Sequence, residues 1–260
     1  MSAFPDPLLI GMVHLPALPG SPANVRALEE IIEHARADAR TLADAGFGAL
    51  MVENFGDAPF SAGALEPVTI GTMAVVVREL LRTCDLPVGV NCLRNDARSA
   101  LGIAAATGAA CIRVNVHTGV AATDQGMIEG NAYDTLRERQ RICPQVQIFA
   151  DVHVKHAEPI SQPDIVLAAE ETAYRGLADA LIVSGATTGR PTDQYDLANV
   201  KRAVPDKPVL AGSGATADTI RSILEVADGV IVGSSLKPDG DITKPIDASL
   251  AKAFIKAARE

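Results

Sequence analysis

The chain has no tryptophan, few other aromatic residues, and no apolar run long enough to cross a bilayer. Only six of its 260 residues are phenylalanine and three are tyrosine. A membrane-spanning helix needs about 20 consecutive apolar residues, and the N-terminus lacks the basic and apolar regions of a signal peptide. The abundant small and β-branched residues suit buried parallel strands covered by helices. We expect a cytoplasmic α/β protein, and peripheral contact with a membrane surface stays open.

The chain also lacks an excess of basic residues, and its cysteines do not occur in closely spaced pairs. The net charge is −9, and no basic stripe is present that could neutralise the phosphates of a nucleic acid. We therefore expect no nucleic-acid partner. No CxxC or HExxH spacing supports a zinc site. The four cysteines are interpreted as reduced thiols of a cytosolic protein: Cys84, Cys92, Cys111 and Cys143.

Short apolar runs recur eight times, and a helical pattern follows each of them. The runs predict strands at residues 8–13, 49–52, 87–90, 111–116, 146–152, 180–183, 208–211 and 229–232. The helical patterns cover residues 23–45, 67–84, 96–107, 132–143, 163–174, 193–203, 217–227 and 246–258. Strict alternation implies a parallel sheet with right-handed crossovers. Because a closed (β/α)₈ barrel takes roughly 250 residues, we predict a single TIM-barrel domain over residues 1–260.

Residues 208–237 contain two glycine turns, which follow the last two predicted strands. Gly212-Ser213-Gly214 comes after strand seven, and Gly233-Ser234-Ser235 comes after strand eight. Glycine lets a ligand approach backbone N–H groups closely, and the serine hydroxyls add donors. In (β/α)₈ barrels the loops after strands seven and eight frequently bind phosphate. The two turns together predict a site for phosphate or another anion, with ordinary turns as the alternative.

Polar residues alternate along two of the predicted strands. The odd-numbered ones share a face: Arg113, Asn115 and His117 on strand four, and Asp151, His153 and Lys155 on strand five. An inward-facing arginine needs a buried carboxylate as its partner, and either Glu53 or Asp151 could supply it. A purely structural ion pair inside the barrel is the alternative to a catalytic role.

Three further polar residues end the first three strands: His14, Glu53 and Asn91. With Asn115 and Asp151 they predict a ring suited to proton transfer on a sugar-like substrate. In this hypothesis Glu53 and Asp151 form the acid–base pair. Four residues orient substrate hydroxyls, namely His14, Asn91, Asn115 and His153. Lys155 neutralises an enolate or forms a Schiff base. A divalent metal held by Glu53, Asp151 and a histidine is the open alternative.

Three segments are predicted to border this ring. Residues 55–66 and 118–130 are long enough to act as lids or as partner-binding loops. The segment 184–189, after strand six, contains serine and threonine hydroxyls that could add donors. All three follow strands, so we expect them at the same end of the barrel as the polar ring.

The chain resembles the BtpA/SgcQ family over nearly its full length. The resemblance rests on IGMVHLPALPGSP (10–22), VENFGDAPF (52–60), VGVNCLRND (88–96), IRVNVHTG (112–119), DQGMIEG (124–130), ADVHVKHA (150–157), LAGSGAT (210–216) and GVIVGSSLKPDG (229–240). It implies a barrel of the ribulose-phosphate-binding type. The family is named after a cyanobacterial photosystem I biogenesis factor that is peripheral on thylakoid membranes, and other members accompany sugar-utilisation genes in bacteria without photosystems. This chain departs from the family pattern at Ala186, commonly lysine, and at His117, commonly apolar.

These observations predict an enzyme that acts on a small phosphorylated sugar or nucleoside-like substrate by isomerase- or lyase-type proton transfer. Redox chemistry is disfavoured because no dinucleotide-binding fingerprint is present. Two alternatives remain open, namely a non-catalytic assembly factor built on a barrel and a metal-dependent hydrolase or nucleosidase. The expected partners are the phosphorylated small molecule and further copies of the chain in a homo-oligomer.

Overall fold

The computed structural model of the chain describes residues 4–161, 163–185 and 192–260. Its strands are β1 (Leu8–His14), β2 (Ala49–Glu53), β3 (Val88–Asn91), β4 (Cys111–Val114), β5 (Val120–Thr123), β6 (Gly126–Glu129), β7 (Gln147–Val152), β8 (Ala157–Pro159), β9 (Ala180–Val183), β10 (Val209–Ala211) and β11 (Gly229–Val232). Its α-helices are α1 (Leu28–Ala45), α2 (Pro67–Thr83), α3 (Ala97–Thr107), α4 (Ala132–Ile142), α5 (Ile165–Glu170), α6 (Gln194–Ala203), α7 (Ile220–Leu224) and α8 (Ala248–Arg259). A π-helical turn, Glu171–Arg175, continues α5.

Eight of the strands close into a barrel. Their order around it is β1-β11-β10-β9-β7-β4-β3-β2, and every neighbouring pair is parallel. The ring closes where β1 pairs with both β11 and β2, with Leu8 opposite Gly229 and Ile10 opposite Ala49. The predicted (β/α)₈ TIM-barrel fold is confirmed, and each of the eight predicted strands is present. Most boundaries agree to within one residue, but β4 ends at Val114 and not at residue 116.

The core has two layers, which follow from the alternation of side chains along each strand. Inside the barrel, Ile10, Met51 and Phe149 belong to one buried cluster. Between the strands and the helices, neighbouring strand residues such as Leu9 and Leu50 join a larger buried cluster. Both faces of each strand are therefore covered, as expected for an all-parallel sheet. This rigid double-layered core fixes the positions of the loops at the carboxyl ends of the strands.

A small antiparallel sheet lies outside the barrel, with strand order β6-β5-β8. β5 and β6 form a hairpin through the two-residue turn Asp124-Gln125, and Ala121 and Ile128 pack in a separate apolar cluster. The sequence predicts residues 118–130 only as a loop, and the structure corrects this to a hairpin. The strands are four residues long, so their alternation is too brief to stand out in the sequence.

Helices α1 and α7 are clearly shorter than the sequence predicts. α1 begins at Leu28, five residues later than predicted, and the Glu30 carboxylate accepts a 2.8 Å hydrogen bond from the Ala27 N–H at its first turn. α7 contains only five residues, whereas the sequence predicts a helix over 217–227. So short a helix adds little dipole to an anion site. Within the described ranges, no helix has both the length and the apolar character needed to cross a membrane.

Candidate functional site

Two cavities lie at the carboxyl ends of the barrel strands. The larger has a volume of about 530 Å³, and its walls come from β2, β4 and the loops after β2, β3, β5 and β7. The smaller has a volume of about 30 Å³ and lies between the two glycine turns, with Met12 and His14 at its base. Arg113 and Lys155 line both cavities. These two cations therefore stand at the junction between the glycine turns and the barrel mouth.

The two predicted cover loops both contribute to the larger cavity. Phe55 and Phe60, from the loop after β2, line one part of it. Asp124 and Gln125, from the turn of the β5–β6 hairpin, line another. The third predicted segment, 184–189, lies largely outside the described residues, since 186–191 are not described. Within it, the Ser184 hydroxyl lies 3.3 Å from Asp151 Oδ1.

Arg113 and Asp151 form a bidentate ion pair at the centre of the site. Arg113 Nε donates to Asp151 Oδ2 at 2.8 Å, and Nη2 donates to Oδ1 at 2.7 Å. Asn115 Nδ2 donates to Oδ2 at 2.9 Å. The side chains of Arg113 and Asp151 are 1% and 0% exposed, respectively. Burial opposes the charged form of Arg113, but the Asp151 carboxylate outweighs it and raises the pKa of Arg113.

This geometry decides between the two partners predicted for Arg113, since the pair is made with Asp151. Both Asp151 oxygens already accept charged or amide hydrogen bonds. Such bonds stabilise the ionised carboxylate. The arrangement therefore does not fit Asp151 as one half of an acid–base pair, and it assigns this residue to the positioning of Arg113 and Asn115.

Glu53, at the end of β2, is a buried carboxylate in the wall of the larger cavity. It is 3% exposed, and its Oε2 accepts a 2.5 Å hydrogen bond from Asn91 Nδ2. The strand register places His14 opposite Glu53, and Glu53 opposite Asn91. Three of the residues predicted to form the polar ring are thus neighbours on adjacent strands.

Two amide oxygens of the ring are buried without a partner. Within the described part of the chain, Asn91 Oδ1 and Asn115 Oδ1 accept no hydrogen bond. Unsatisfied buried acceptors cost about 1–3 kcal/mol each, and they are a feature of sites that await a ligand or water. Asn115 lines the larger cavity and is therefore the one of the two that a substrate can approach, whereas Asn91 lines neither cavity.

Lys155 is a cation without a direct anionic partner. Its backbone carbonyl accepts a 2.6 Å hydrogen bond from Arg94 Nη2, but no described residue forms a hydrogen bond or an ion pair with its ammonium group. Burial lowers the pKa of Lys155, and the nearby Arg113 lowers it further, while Glu53 and Asp151 act in the opposite direction. An anion bound at the junction of the two cavities would relieve this repulsion.

His14 closes the base of the smaller cavity. A Cβ atom on Gly233 would lie only 2.6 Å from His14 Cε1, so this position requires glycine. Gly214, in the other turn, has a φ of 71°, which glycine adopts without strain. The His14 ring contacts Phe55 edge-on with centroids 5.1 Å apart. Burial lowers the pKa of His14 to about 4, although Glu53 raises it, so the imidazole is neutral near pH 7.

We expect the neutral state of His14 to make the fold acid-sensitive. Its pKa is near 6.5 in the unfolded chain and about 4 in the folded one. Stability from this residue is complete above about pH 6.5 and is lost as the pH falls through 4, because the unfolded chain binds the proton more strongly. Between pH 7.5 and 4.5 the free energy of unfolding should fall by about 2–3 kcal/mol from His14 alone. Urea unfolding of the wild type and of His14→Gln measures this contribution.

The same experiment carries its own control. Three other histidines, His34, His117 and His156, also have lowered pKa values, chiefly through burial. In acid they destabilise the wild type and His14→Gln equally. The difference between the wild type and His14→Gln isolates the effect of His14. A difference that stays constant from pH 7.5 to pH 4.5 would contradict the assignment of His14 as a buried neutral imidazole.

Two histidines lie beyond the ends of the strands to which the sequence assigns them. β7 ends at Val152, and His153 has a φ of 53°, so its side chain no longer follows the alternation of the strand. Burial raises the pKa of Asp196 of α6, and the nearby His153 partly offsets this effect. His153 lines neither of the two cavities described above, but it lines a separate small cavity together with Asn115 and Asp151. His117 Nε2 lies 2.7 Å from the carbonyl of Gly176. The extended backbone that the predicted shared face assumes is therefore absent at both residues, because β4 and β7 end before them.

The serine hydroxyls of the glycine turns hold the turns together. Ser213 Oγ accepts a 2.8 Å hydrogen bond from the Gly185 N–H, and Ser235 Oγ donates to the carbonyl of Ala215 at 2.6 Å. Among the described residues, no carbonyl accepts from the N–H groups of Gly214 or Ser234. The turns can thus offer free N–H groups to an anion, and among the described residues the Ser234 hydroxyl is not engaged either.

The donor set predicted for a divalent metal is not assembled. Among the described residues, no group of three or more histidine, cysteine, aspartate or glutamate side chains converges on one point. Asp151 directs both oxygens to Arg113 and Asn115. The arrangement of Glu53, Asp151 and a histidine therefore does not fit a metal.

The sequence analysis missed Arg94, which lines the larger cavity and is 5% exposed. It follows β3 in the loop CLRND, and its position beyond the strand end hides it from any argument on strand alternation. A charged residue in a loop that follows a barrel strand was the available signal. The neighbouring Leu93 lines the same cavity.

Lys237 is a second missed residue, and it anchors the loop after β11. Its side chain is fully buried, with Nζ 3.5 Å from Asp38 Oδ2 of α1. Nζ also donates to the carbonyls of Ile242 and Lys244, at 3.2 and 2.7 Å. Asp38 Oδ1 accepts from the Ile246 N–H at 2.9 Å. This cluster, which we call the α1 anchor, attaches the segment after Gly233-Ser234-Ser235 to the outside of the barrel.

A closed (β/α)₈ barrel with polar cavities at the carboxyl ends of its strands belongs to the TIM-barrel class, in which this end carries the active sites. Phosphoribosyl anthranilate isomerase from Thermus thermophilus has the same fold, with a TM-score of 0.60 and 11% sequence identity over 96% of this chain and 98% of that chain. At such low identity the likeness is evidence for the fold alone.

The chain belongs to the BtpA family, whose sequence model matches residues 6–260. It is 47% identical to the photosystem I biogenesis protein BtpA of Synechocystis over 97% of this chain and 88% of that protein. It is also 33% identical to the putative sgc region protein SgcQ of Escherichia coli, over 95% of this chain and 92% of that protein.

Proposed function

We propose that the protein binds a small phosphorylated metabolite and catalyses proton transfer on it, as an isomerase or a lyase. The observation that supports this most directly is the position of Arg113 and Lys155, which line both cavities. A phosphate between the glycine turns would contact these cations, while the rest of the molecule would extend into the larger cavity. One ligand would therefore occupy both spaces.

The smaller cavity suits a phosphate by its donors. Its volume of about 30 Å³ excludes a ring. The free N–H groups of Gly214 and Ser234 supply neutral donors at its wall, and Lys155 supplies an uncompensated positive charge. Oriented backbone N–H groups and an adjacent cation are the recurring elements of phosphate sites.

Glu53 is the group proposed to move the proton. Its carboxylate would remove a proton from a substrate carbon beside a carbonyl, and Asn91 holds it in place. Lys155 would stabilise the negative charge that develops on the enolate oxygen. In an isomerisation Glu53 would then return the proton to the former carbonyl carbon, while the hydroxyl proton of the adjacent carbon would pass to the enolate oxygen, so that the carbonyl group changes place. Asp151 takes no part in this transfer, because it is committed to Arg113 and Asn115.

A non-catalytic role is the second candidate, because a relative with 47% identity carries the name of a photosystem I biogenesis protein. A barrel that serves only as a scaffold does not require a buried carboxylate at the cavity wall. Glu53→Gln preserves shape and removes the base. If this variant folds, binds its ligand and retains full biological activity in a complementation assay, the scaffold role is favoured over proton transfer.

Loss of the Lys155 ammonium group is expected to weaken binding of phosphorylated ligands. A hydrogen bond to a charged group contributes about 1.5–3 kcal/mol, which corresponds to a decrease in affinity of roughly 10- to 150-fold. Isothermal titration with ribose 5-phosphate and with inorganic phosphate, on the wild type and on Lys155→Met, measures this loss.

Lys256→Met is the matched control, since Lys256 lies on α8 with its side chain 77% exposed. It removes the same charge at a distance from both cavities, and its affinity for either probe should equal that of the wild type. An unchanged affinity in Lys155→Met, or equal losses in both variants, would contradict the proposed phosphate site.

A further inference from the structure

The larger cavity has an aromatic wall that phosphate binding and proton transfer do not require. The chain has only six phenylalanines and three tyrosines, yet Phe55 and Phe60 both line this cavity. Their rings meet edge-on with centroids 6.2 Å apart. The His14 ring lies on the other side of Phe55, at 5.1 Å. A row of three rings thus leads from the smaller cavity towards the barrel mouth.

This wall presents apolar surface where the site would otherwise be polar. Leu93 extends it, and both phenylalanines remain partly exposed in the folded chain. Apolar surface that faces water gains free energy when a ligand covers it. A sugar phosphate offers mainly hydroxyl groups and would leave this surface without a partner. A planar aromatic ring matches it, because such rings bind readily against aromatic side chains.

Other walls of the cavity carry unpaired polar atoms. Within the described ranges, Arg94 Nε and Gln125 Oε1 are buried and have no hydrogen-bond partner. Gln125 Nε2 donates to Asp124 Oδ2 at 2.5 Å, which orients the amide and leaves its oxygen available. Arg94 and Gln125, which both line the cavity, therefore each retain one unpaired polar atom, a donor and an acceptor respectively. A heterocycle with acceptor and donor groups along its edge would satisfy both.

We infer that the ligand carries a nucleobase as well as a phosphate, so that the bound compound is a nucleoside monophosphate. This inference rests on the proposed function, because it keeps the phosphate between the glycine turns. The sugar would lie beside Glu53 and Asn115, and the base would lie against Phe55 and Phe60. The volume of about 530 Å³ agrees with this, since ligand pockets of 300–1,000 Å³ typically hold molecules larger than a single sugar.

Titration calorimetry with three kinds of probe tests the inference. The probes are ribose 5-phosphate, the 5′-monophosphates of adenosine, guanosine, cytidine and uridine, and the four free nucleosides. At least one nucleotide should bind the wild type about 10-fold or more tightly than ribose 5-phosphate. Stacking of a base on an aromatic side chain accounts for a roughly 5- to 150-fold change in affinity. Phe60→Leu should therefore lower the affinity for that nucleotide by a factor in this range. The affinity for ribose 5-phosphate should not change.

Tyr195→Leu is the control for the loss of an aromatic ring, because Tyr195 is 74% exposed on α6. Its affinity for every probe should equal that of the wild type.

Failure of the inference is distinguishable from failure of the proposed function. If ribose 5-phosphate binds as tightly as every nucleotide, the base subsite is overturned while the phosphate site stands. If no phosphorylated probe binds, both are overturned. If free nucleosides bind as tightly as the nucleotides, and Phe60→Leu lowers the affinity for both kinds of ligand, the base subsite is supported and the phosphate site is not.

Discussion

Replacing Arg113 with methionine is expected to lower the free energy of unfolding by about 3–5 kcal/mol. The substitution removes the cation and leaves the Asp151 carboxylate buried, at 0% exposure, without a compensating charge. An uncompensated charge in the interior is among the largest single-residue effects on stability. Urea unfolding monitored by circular dichroism measures the loss. Binding of ribose 5-phosphate should also fall, because Arg113 lines both cavities.

A double variant separates the two consequences of this substitution. Arg113→Met combined with Asp151→Asn removes both charges and keeps an acceptor for the Asn115 amide. Replacing both members of a buried pair is often close to neutral, so much of the lost stability should return while ligand binding stays weak. If binding returns together with stability, Arg113 supports the fold and does not contact the phosphate.

Arg141→Met is the matched control for this pair. Arg141 also makes a bidentate pair, with Glu138, but its side chain is 67% exposed. Exposed pairs contribute little because water and salt screen them, so its midpoint of unfolding should stay close to that of the wild type. Equal losses in Arg113→Met and Arg141→Met would contradict the distinction between the buried and the exposed pair.

Lys237→Met is expected to have an effect of similar size, about 3–5 kcal/mol, through the α1 anchor. The substitution would leave Asp38 charged and buried, with a side chain that is 1% exposed. It would also remove the donor to the carbonyls of Ile242 and Lys244. Burial lowers the pKa of Lys237, but Asp38 partly offsets this effect. Chemical unfolding again measures the loss.

The anchor also has an expected consequence for the phosphate site. Lys237 lies two residues after the turn that follows β11, so release of this segment should disturb the N–H groups of Gly233-Ser234-Ser235. We expect Lys237→Met to bind ribose 5-phosphate more weakly than the wild type at temperatures where both proteins are folded. Full retention of affinity in the folded variant would show that the anchor stabilises the chain without positioning the turn.

Lys244→Met provides the control within the same loop. Lys244 pairs with Asp239 at 2.8 Å, and the two side chains are 41% and 84% exposed. The charge type and the sequence neighbourhood match those of Lys237, while the burial differs. A loss of stability in Lys244→Met as large as that in Lys237→Met would contradict the assignment of the effect to burial.

Much of the fold follows from patterns within short stretches of the chain. Alternating apolar runs and helical periodicities specify eight βα units, and eight units fit a closed barrel better than an open sheet. The two glycine turns and the strand-end residues His14, Glu53 and Asn91 could likewise be located from their own neighbourhoods. In each case the information is local, because side-chain direction is fixed as long as the backbone stays extended.

The same reasoning fails where the backbone leaves the strand. His153 and His117 were placed on inward faces by counting alternate positions, but β7 and β4 end before them. The hairpin formed by β5 and β6 went unrecognised because each strand has only four residues. Local patterns do not predict where a strand ends, because the end depends on hydrogen bonds to the neighbouring strands.

By itself, then, the sequence determined the barrel, the end of the barrel that carries the polar groups, and the two glycine turns. Only the tertiary structure decided which charges meet. It paired Arg113 with Asp151 and left Glu53 to face the cavity. It also joined Lys237 to Asp38, although the two residues lie in distant parts of the chain. Contacts of this kind depend on how the closed barrel brings remote strands and helices together, and no local pattern encodes them.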